Sequence, residues 1–200
     1  MSPKKDEKRE ALFNAALSLF ARHGYKKTTV EDVADALGMT KGNLYFYVKN
    51  KQDLYYRTIH WALNRWQDDV RKAVDRERAA DGKFKAMARS ALAYIENETT
   101  LQEMLVRDPE ILTLDRRFDR FPDANGAARQ IIREIIDLGI QDGTFAVSDP
   151  DASVNYLFSI YMMFLIQTYV YLDKDDFRQM FDAALELNLK GLKKEASPSL

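Results

Sequence analysis

Thr29-Val-Glu-Asp-Val-Ala-Asp-Ala-Leu-Gly-Met-Thr-Lys-Gly-Asn-Leu-Tyr-Phe-Tyr47 decides how this chain of 200 residues is read. Val30, Val33, Ala34 and Leu37 recur at spacings of three and four, the period of one buried helix face. Thr29 suits the cap of that helix, and Glu31 and Asp32 suit its positive end. Gly38 falls where the helix must stop, because a left-handed backbone costs glycine least. Thr40 then caps a second short helix, Lys41 to Tyr47. Leu44 and Val48, four apart, face inward, and Ala34 is small where the two helices should cross. Helix, glycine turn and capped helix together fit the helix-turn-helix, whose second helix enters the major groove of DNA.

The outward residues of the second helix are Lys41, Gly42, Asn43, Tyr45, Phe46 and Tyr47. A core helix would not expose three aromatics and a lysine, whereas a helix lying on phosphates and thymine methyls would. Lys49 and Lys51 follow at once. The competing reading, a generic helical hairpin with a basic rim, does not call for all these positions together.

The chain here resembles the tetracycline-repressor (TetR) family of bacterial regulators. Thr28-Thr29-Val30, Ala34, Gly38-Met39, Lys41-Gly42-Asn43-Leu44-Tyr45-Phe46-Tyr47 and Lys51-Gln-Asp-Leu54 are similar to the family's signature. Phe46-Tyr47-Val48 stands where the family usually has an aromatic-His-Phe run; Tyr47 can still donate to a phosphate and Val48 can still pack. The resemblance implies that Lys41 and Gly42 approach base edges. It implies that Tyr45 and Phe46 pack on sugar or thymine methyls. Thr29, Thr40, Asn43, Tyr47 and Lys51 would fix phosphates.

Composition agrees. Charged residues are 30% and apolar ones 46%, ordinary for a soluble globular protein. Net charge is −1, but it is unevenly spread. Residues 1–57 hold 11 Lys/Arg against 7 Asp/Glu, and the rest 19 against 24. A basic head on an acidic body confines the electrostatic footprint for DNA to the first part. The absence of cysteine excludes disulfides and thiolate metal sites. No apolar run follows the charged start to make a signal peptide, so a cytoplasmic protein is expected. Ala152 to Leu172 carries no charge over 21 residues, long enough for a bilayer. Its Ser, Asn, Gln and Thr and its acidic flanks point instead to a helix buried on nearly every side, without a membrane.

The chain predicts an all-α fold of about nine helices. Three form the head, residues 1–50, and a long helix from Lys51 joins it to a ligand-binding and dimerisation body, residues 51–200. Leu12, Phe13, Ala16, Leu19 and Phe20 mark the first helix, ended by Gly24. Lys26 and Lys27 in the loop after it suit a phosphate or plain solvation equally. Leu54 to Ala73 form one stripe, expected to break at Asp81-Gly82. Body helices follow at Phe84–Ile95, around Leu101–Leu105, from Asp108-Pro109 to Phe118, at Ala127–Gly139, in the uncharged stretch, and at Phe177–Leu192. Thr144 to Ser148 is an extended link at most, and the tail Ala196–Leu200 is expected to be loose.

No catalytic constellation stands out: there are two histidines, no glycine-rich phosphate loop and no nucleophile elbow. Neither a metal site nor a cofactor is expected. An apolar surplus on every face of the uncharged helix calls for a second copy as cover. The resemblance likewise implies a homodimer through the last two helices, with two heads reading a palindrome in double-stranded DNA. It also implies a small-molecule inducer pocket in the body. Candidate walls are Trp66, Tyr94, Ile95, Met104, Leu105, Ile132, Tyr161 and Phe164. No buried charge cluster stands among them, so a largely apolar or aromatic inducer is expected. The alternative is a helical enzyme or small-molecule carrier that keeps a helix-turn-helix-like head; sequence-selective DNA binding separates the two.

Overall fold

The computed structural model describes residues 3–113, 115–168 and 174–194, and these form nine α-helices and two 3-10 turns. In order they are α1 (Pro3–Lys27), α2 (Val30–Ala36), α3 (Lys41–Leu44), α4 (Lys51–Arg76), α5 (Ala80–Asn97), α6 (Thr99–Arg107), α7 (Pro122–Gln141), α8 (Pro150–Gln167) and α9 (Lys174–Leu192). The 3-10 turns, Pro109–Ile111 and Arg116–Phe118, lie between α6 and α7. Tyr169 to Asp173 and the tail Ala196–Leu200 lie outside the described residues.

The chain divides into two compact units. The first is Met1–Arg65 with Glu98–Glu110, and the second is Trp66–Asn97 with Ile111–Leu200. The long helix α4 begins in the first and ends in the second. The short helix α6, read from sequence as part of the body, belongs to the first unit and packs on α1. Its fastening is specific. Arg107 donates from Nε to the Ala21 carbonyl at 2.6 Å and from Nη2 to the Arg22 carbonyl at 3.1 Å. These are carbonyls near the C-terminal end of α1, where a helix lacks partners and a cation is favoured. Tyr55 on α4 donates to Asp108 just beyond α6. Met104 and Leu105 are buried here.

The first unit's core is the expected stripe. Leu12, Phe13, Ala16 and Phe20 of α1 are buried with Val30, Val33, Ala34, Leu44, Val48, Leu54 and Ile59. Val48 is only 2% exposed, so the smaller residue fills its place in the core. Phe20, Tyr25 and Tyr55 pack ring on ring, with Phe20 edge-on to Tyr55 at 5.0 Å. Thr28 is buried, but its hydroxyl donates to the Gly24 and Leu19 carbonyls, so no polar atom is stranded. Gly24 takes φ +80 and turns the chain there; Lys26 and Lys27 continue in helical backbone beyond it.

In the second unit α7 packs on α5 and α8, and α5 also meets α8 and α9. Leu92, Phe164, Phe177, Phe181 and Leu185 form a cluster, with Phe164 edge-on to Phe181 at 5.3 Å. Two boundaries differ from the sequence expectation. The break between α4 and α5 lies at residues 77–79, not at Gly82, which falls in the first turn of α5. Lys83 reaches back with Nζ to the Val74 carbonyl at 2.9 Å, satisfying an acceptor near the end of α4. A side chain from the next helix therefore serves there in place of a glycine. The segment after Asp108 forms two separate 3-10 turns rather than one helix. The link at Phe145 makes a single antiparallel bridge to Lys193. No helix among the described residues is long and apolar enough to cross a membrane.

Candidate nucleic-acid interface and ligand cavity

The helix-turn-helix is built by local hydrogen bonds. Thr29 Oγ1 accepts from the Asp32 amide at 3.1 Å, and Asp32 Oδ2 accepts from the Thr29 amide at 2.7 Å, a closed capping box. The Thr29 amide first, and the Thr29 side chain second, hold the Asp32 carboxyl below its usual range. Gly38 takes φ +62, and its amide and that of Met39 return to the Asp35 and Ala34 carbonyls. This is the left-handed stop that an L side chain resists. Thr40 Oγ1 accepts from the Asn43 amide at 3.3 Å and starts α3. Regular helix ends at Leu44, sooner than expected, and tighter turns carry the chain to Val48.

This framework sorts the nine predicted contact residues. Thr29, Thr40, Lys41, Gly42, Asn43, Tyr45 and Phe46 are exposed, and Tyr47 and Lys51 are half-buried. Phe46 is 86% exposed. A phenyl ring that far into water has no role in holding its own unit together. Both threonine hydroxyls accept as helix caps. Gly42 has helical backbone, and a Cβ placed on it would meet nothing nearer than Thr40 Oγ1 at 4.0 Å. The fold therefore gives no reason for a glycine at this position.

Two cations in the region are already engaged. Lys51 lies over the Tyr25 ring at 4.5 Å and donates to the Lys26 carbonyl at 3.1 Å. Lys41 is paired with Glu31 of α2, which lowers the Glu31 carboxyl and raises the lysine. The sequence places Glu31 at the start of the helix but not in this pair, because a pairing ten residues apart across a turn leaves no periodic signal.

The second unit holds a partly open cavity of about 50 Å3 between α5, α7, α8 and α9. Ile132, Tyr161 and Phe164, expected as walls, line it. So do residues read only as helix stripes, among them Phe84, Met87, Leu92, Phe181 and Asn188. Trp66, Tyr94 and Ile95 lie in the same unit but off this lining, with Trp66 stacked on Tyr94 at 6.2 Å. Met104 and Leu105 are in the first unit and do not line it. Among the buried polar atoms of this unit, Trp66 Nε1 and Gln167 Oε1 have no hydrogen-bond partner, while Gln67 offsets the effect of burial on the Tyr161 phenol. No group of His, Cys, Asp and Glu suited to a metal occurs among the described residues.

A capped helix, a left-handed glycine turn and a second capped helix followed by exposed aromatics form a helix-turn-helix, a motif that reads DNA. Comparison with known proteins refines this. The sequence model "Bacterial regulatory proteins, tetR family" matches residues 12–57. The HTH-type transcriptional repressor KstR2 of Rhodococcus jostii is 25% identical over 154 residues, 77% of this chain and 75% of that protein. The fatty acid degradation regulator FadR of Bacillus halodurans superposes with TM-score 0.74 at 19% identity, over 92% of this chain and 100% of that one. FadR of Bacillus subtilis, solved in complex with stearoyl-CoA, gives 0.75 at 18% identity, over 92% and 99%. The chain is thus similar to tetR-family regulators over residues 12–57 and, at lower identity, to a transcriptional repressor over most of its length.

Proposed function

We propose that the chain is a ligand-responsive repressor that binds a palindromic operator as a homodimer and leaves it when a small, largely apolar inducer enters the second unit. The observation that carries the reading is the exposed row Lys41, Gly42, Tyr45 and Phe46, which runs from α3 into the turns after it, while Leu44 between them is fully buried. Such a row is unexplained by folding and suits a groove lined with base edges and methyls. Thr29, Thr40, Asn43, Tyr47 and Lys51 supply donors around it for phosphates. Residues 1–50 would then read DNA and residues 51–200 sense and dimerise, with α6 fastened to the reading end. DNA as partner places the protein in the cytoplasm.

The homodimer is supported by what α8 and α9 leave uncovered. Tyr156 is 57% exposed, Leu187 71% and Met180 38%. Ser159 of α8 and Ala183 of α9 are exposed beside them, so two copies can approach closely. One four-residue recognition helix reads few bases; two heads about one DNA turn apart, ~34–36 Å, read enough for an operator. The inducer is supported by the cavity, whose lining carries no charged side chain. The chain passes between units at residues 65–66, 97–98 and 110–111. A ligand that rearranged the second unit would act on α4 and α6 through those links. A coupling of ~1–3 kcal/mol would weaken DNA binding roughly 5–150-fold.

Selection from random DNA at moderate salt, with sedimentation of the resulting complex, tests the reading. A palindromic consensus bound by two chains is the expected result. No enrichment, or one chain per site, refutes it.

A further inference from the structure

We propose that Lys41 and Glu31 together read one G·C base pair in each operator half-site, with guanine under Lys41 and cytosine under Glu31. The inference deepens the operator-binding reading and rests on it. Its starting point is an acid on the surface meant for DNA. Glu31 follows the Thr29 cap of α2 by two residues, and Lys41 follows the Thr40 cap of α3 by one. Their side chains meet in an ion pair, and both stay about half exposed. Lys41 Nζ also lies 6.0 Å from the centre of the Tyr45 ring, so the pair stands beside Tyr45 in the exposed row. Folding gives little reason for it, since a pair between exposed side chains adds little to stability. Asp32 already closes the cap of α2, so the helix start does not depend on Glu31. Facing a polyanion, an acid costs affinity unless it meets a donor.

The pair is the hydrogen-bonding complement of a G·C edge. In the major groove guanine shows the acceptors N7 and O6, and cytosine shows the N4 donor. An ammonium has three protons. One goes to Glu31, which leaves two for O6 and N7. The carboxylate keeps lone pairs for N4–H. Guanine O6 and cytosine N4 are themselves joined by a Watson–Crick hydrogen bond of ~2.9 Å, close to the spacing of a charged N–H···O pair. Nζ, O6, N4 and Oε then close a ring of four hydrogen bonds, each with its own proton. The hydrogen bond between the two side chains lowers the Glu31 carboxyl and raises the Lys41 ammonium, so both are charged at neutral pH.

The other three base pairs fit worse, each for a definite atom. Written with the base under Lys41 first, C·G sets N4–H against the ammonium, and N7 and O6 against the carboxylate. A·T sets thymine O4 against the carboxylate. T·A satisfies each charge once, through O4 and N6–H, but turns adenine N7 toward the carboxylate and the thymine methyl toward the ammonium. The order is therefore G·C, then T·A, then the other two. A lysine alone would read guanine without this check on the opposite base. Glu31 is the residue that supplies the check.

The test is fluorescence anisotropy of the full chain at one fixed salt concentration, on the selected operator and on duplexes with each base pair of the half-site replaced in turn by the other three. In wild type one position should prefer G·C over C·G by roughly 5–150-fold, the worth of a good base contact. Exchanging the two residues, Glu31→Lys with Lys41→Glu, keeps one acid and one base at the same exposed places, so the melting temperature should hold. The preference at that one position should invert to C·G. Glu31→Ala should keep guanine in first place and bind A·T more nearly as well. The absence of such a position in wild type, an exchanged chain that folds and keeps the wild-type preference, or a Glu31→Ala chain that rejects A·T as strongly as wild type overturns the proposal. A palindromic operator with the same base preferences in all three chains refutes this inference alone. A wild-type chain that selects no DNA refutes the repressor reading.

Discussion

Gly42→Ala separates what the fold needs from what the operator needs. Gly42 is not among the positive-φ glycines, and the space around its missing Cβ is open to 4.0 Å. Alanine therefore enters without strain. Its helix propensity exceeds that of glycine by up to ~1 kcal/mol, and by less in a helix of this length. Stability should be unchanged or slightly higher. Against DNA the sign reverses. The added methyl stands ~1.5 Å out from Cα, and hydrogen bonds to base edges lengthen past their useful range when a helix is held off by that much. Loss of one good base contact costs ~1–3 kcal/mol, which weakens operator binding roughly 5–150-fold. Fluorescence anisotropy on the selected operator and on a scrambled duplex, at one fixed salt concentration, reads both affinities, and urea denaturation reads stability. The operator affinity should fall with no drop in the urea midpoint. Unchanged operator affinity would show that nothing approaches Gly42 closely. An equal fall on both duplexes would place Gly42 at phosphates rather than bases.

Other outcomes follow from the same geometry. Glu31→Gln frees Lys41, so non-specific DNA affinity should rise and the slope of log K against log salt should steepen by about 0.9. In a Lys41→Met background that change should vanish, and its persistence would mean Glu31 repels phosphates on its own. Gly139→Ala would bring a Cβ to 2.5 Å from Phe145 Cγ, the root of a buried ring. Overpacking of ~1–3 kcal/mol outweighs an alanine gain of ~1 kcal/mol, and a thermal melt should fall by several degrees; Phe145→Leu in the same chain should recover part of the loss. Asp32 has a folded pKa lowered by its bonds to Thr29. Its stabilisation of α2 is therefore present above the ordinary aspartate range and lost as pH falls through the lowered value. Acid unfolding followed by circular dichroism should show this in wild type and not in Asp32→Asn. An identical acid limb in both chains would remove Asp32 as a contributor.

Legibility in the sequence divided along range. The caps at Thr29 and Thr40, the stop at Gly38 and the inward pair Leu44 and Val48 all involve residues within a turn or two of one another. Their hydrogen bonds close over three or four residues, and periodicity records such bonds directly. The exposure of Tyr45 and Phe46 followed from the same period. The interval between α4 and α5 was misread because its satisfying group is the Lys83 side chain, which composition does not distinguish from any surface lysine.

The stretch Thr29–Tyr47 thus carried the helix-turn-helix, and the apolar stripes along the rest of the chain carried the all-helical class. Tertiary structure alone decided that Met104 and Leu105 lie with the first unit. It also showed that Lys41 is held by Glu31, and that Phe84, Met87 and Phe181 leave a cavity where their helices meet. An amphipathic stripe states that a face is buried, but not against which helix. That choice depends on how side-chain volumes fill the space between helices distant in sequence.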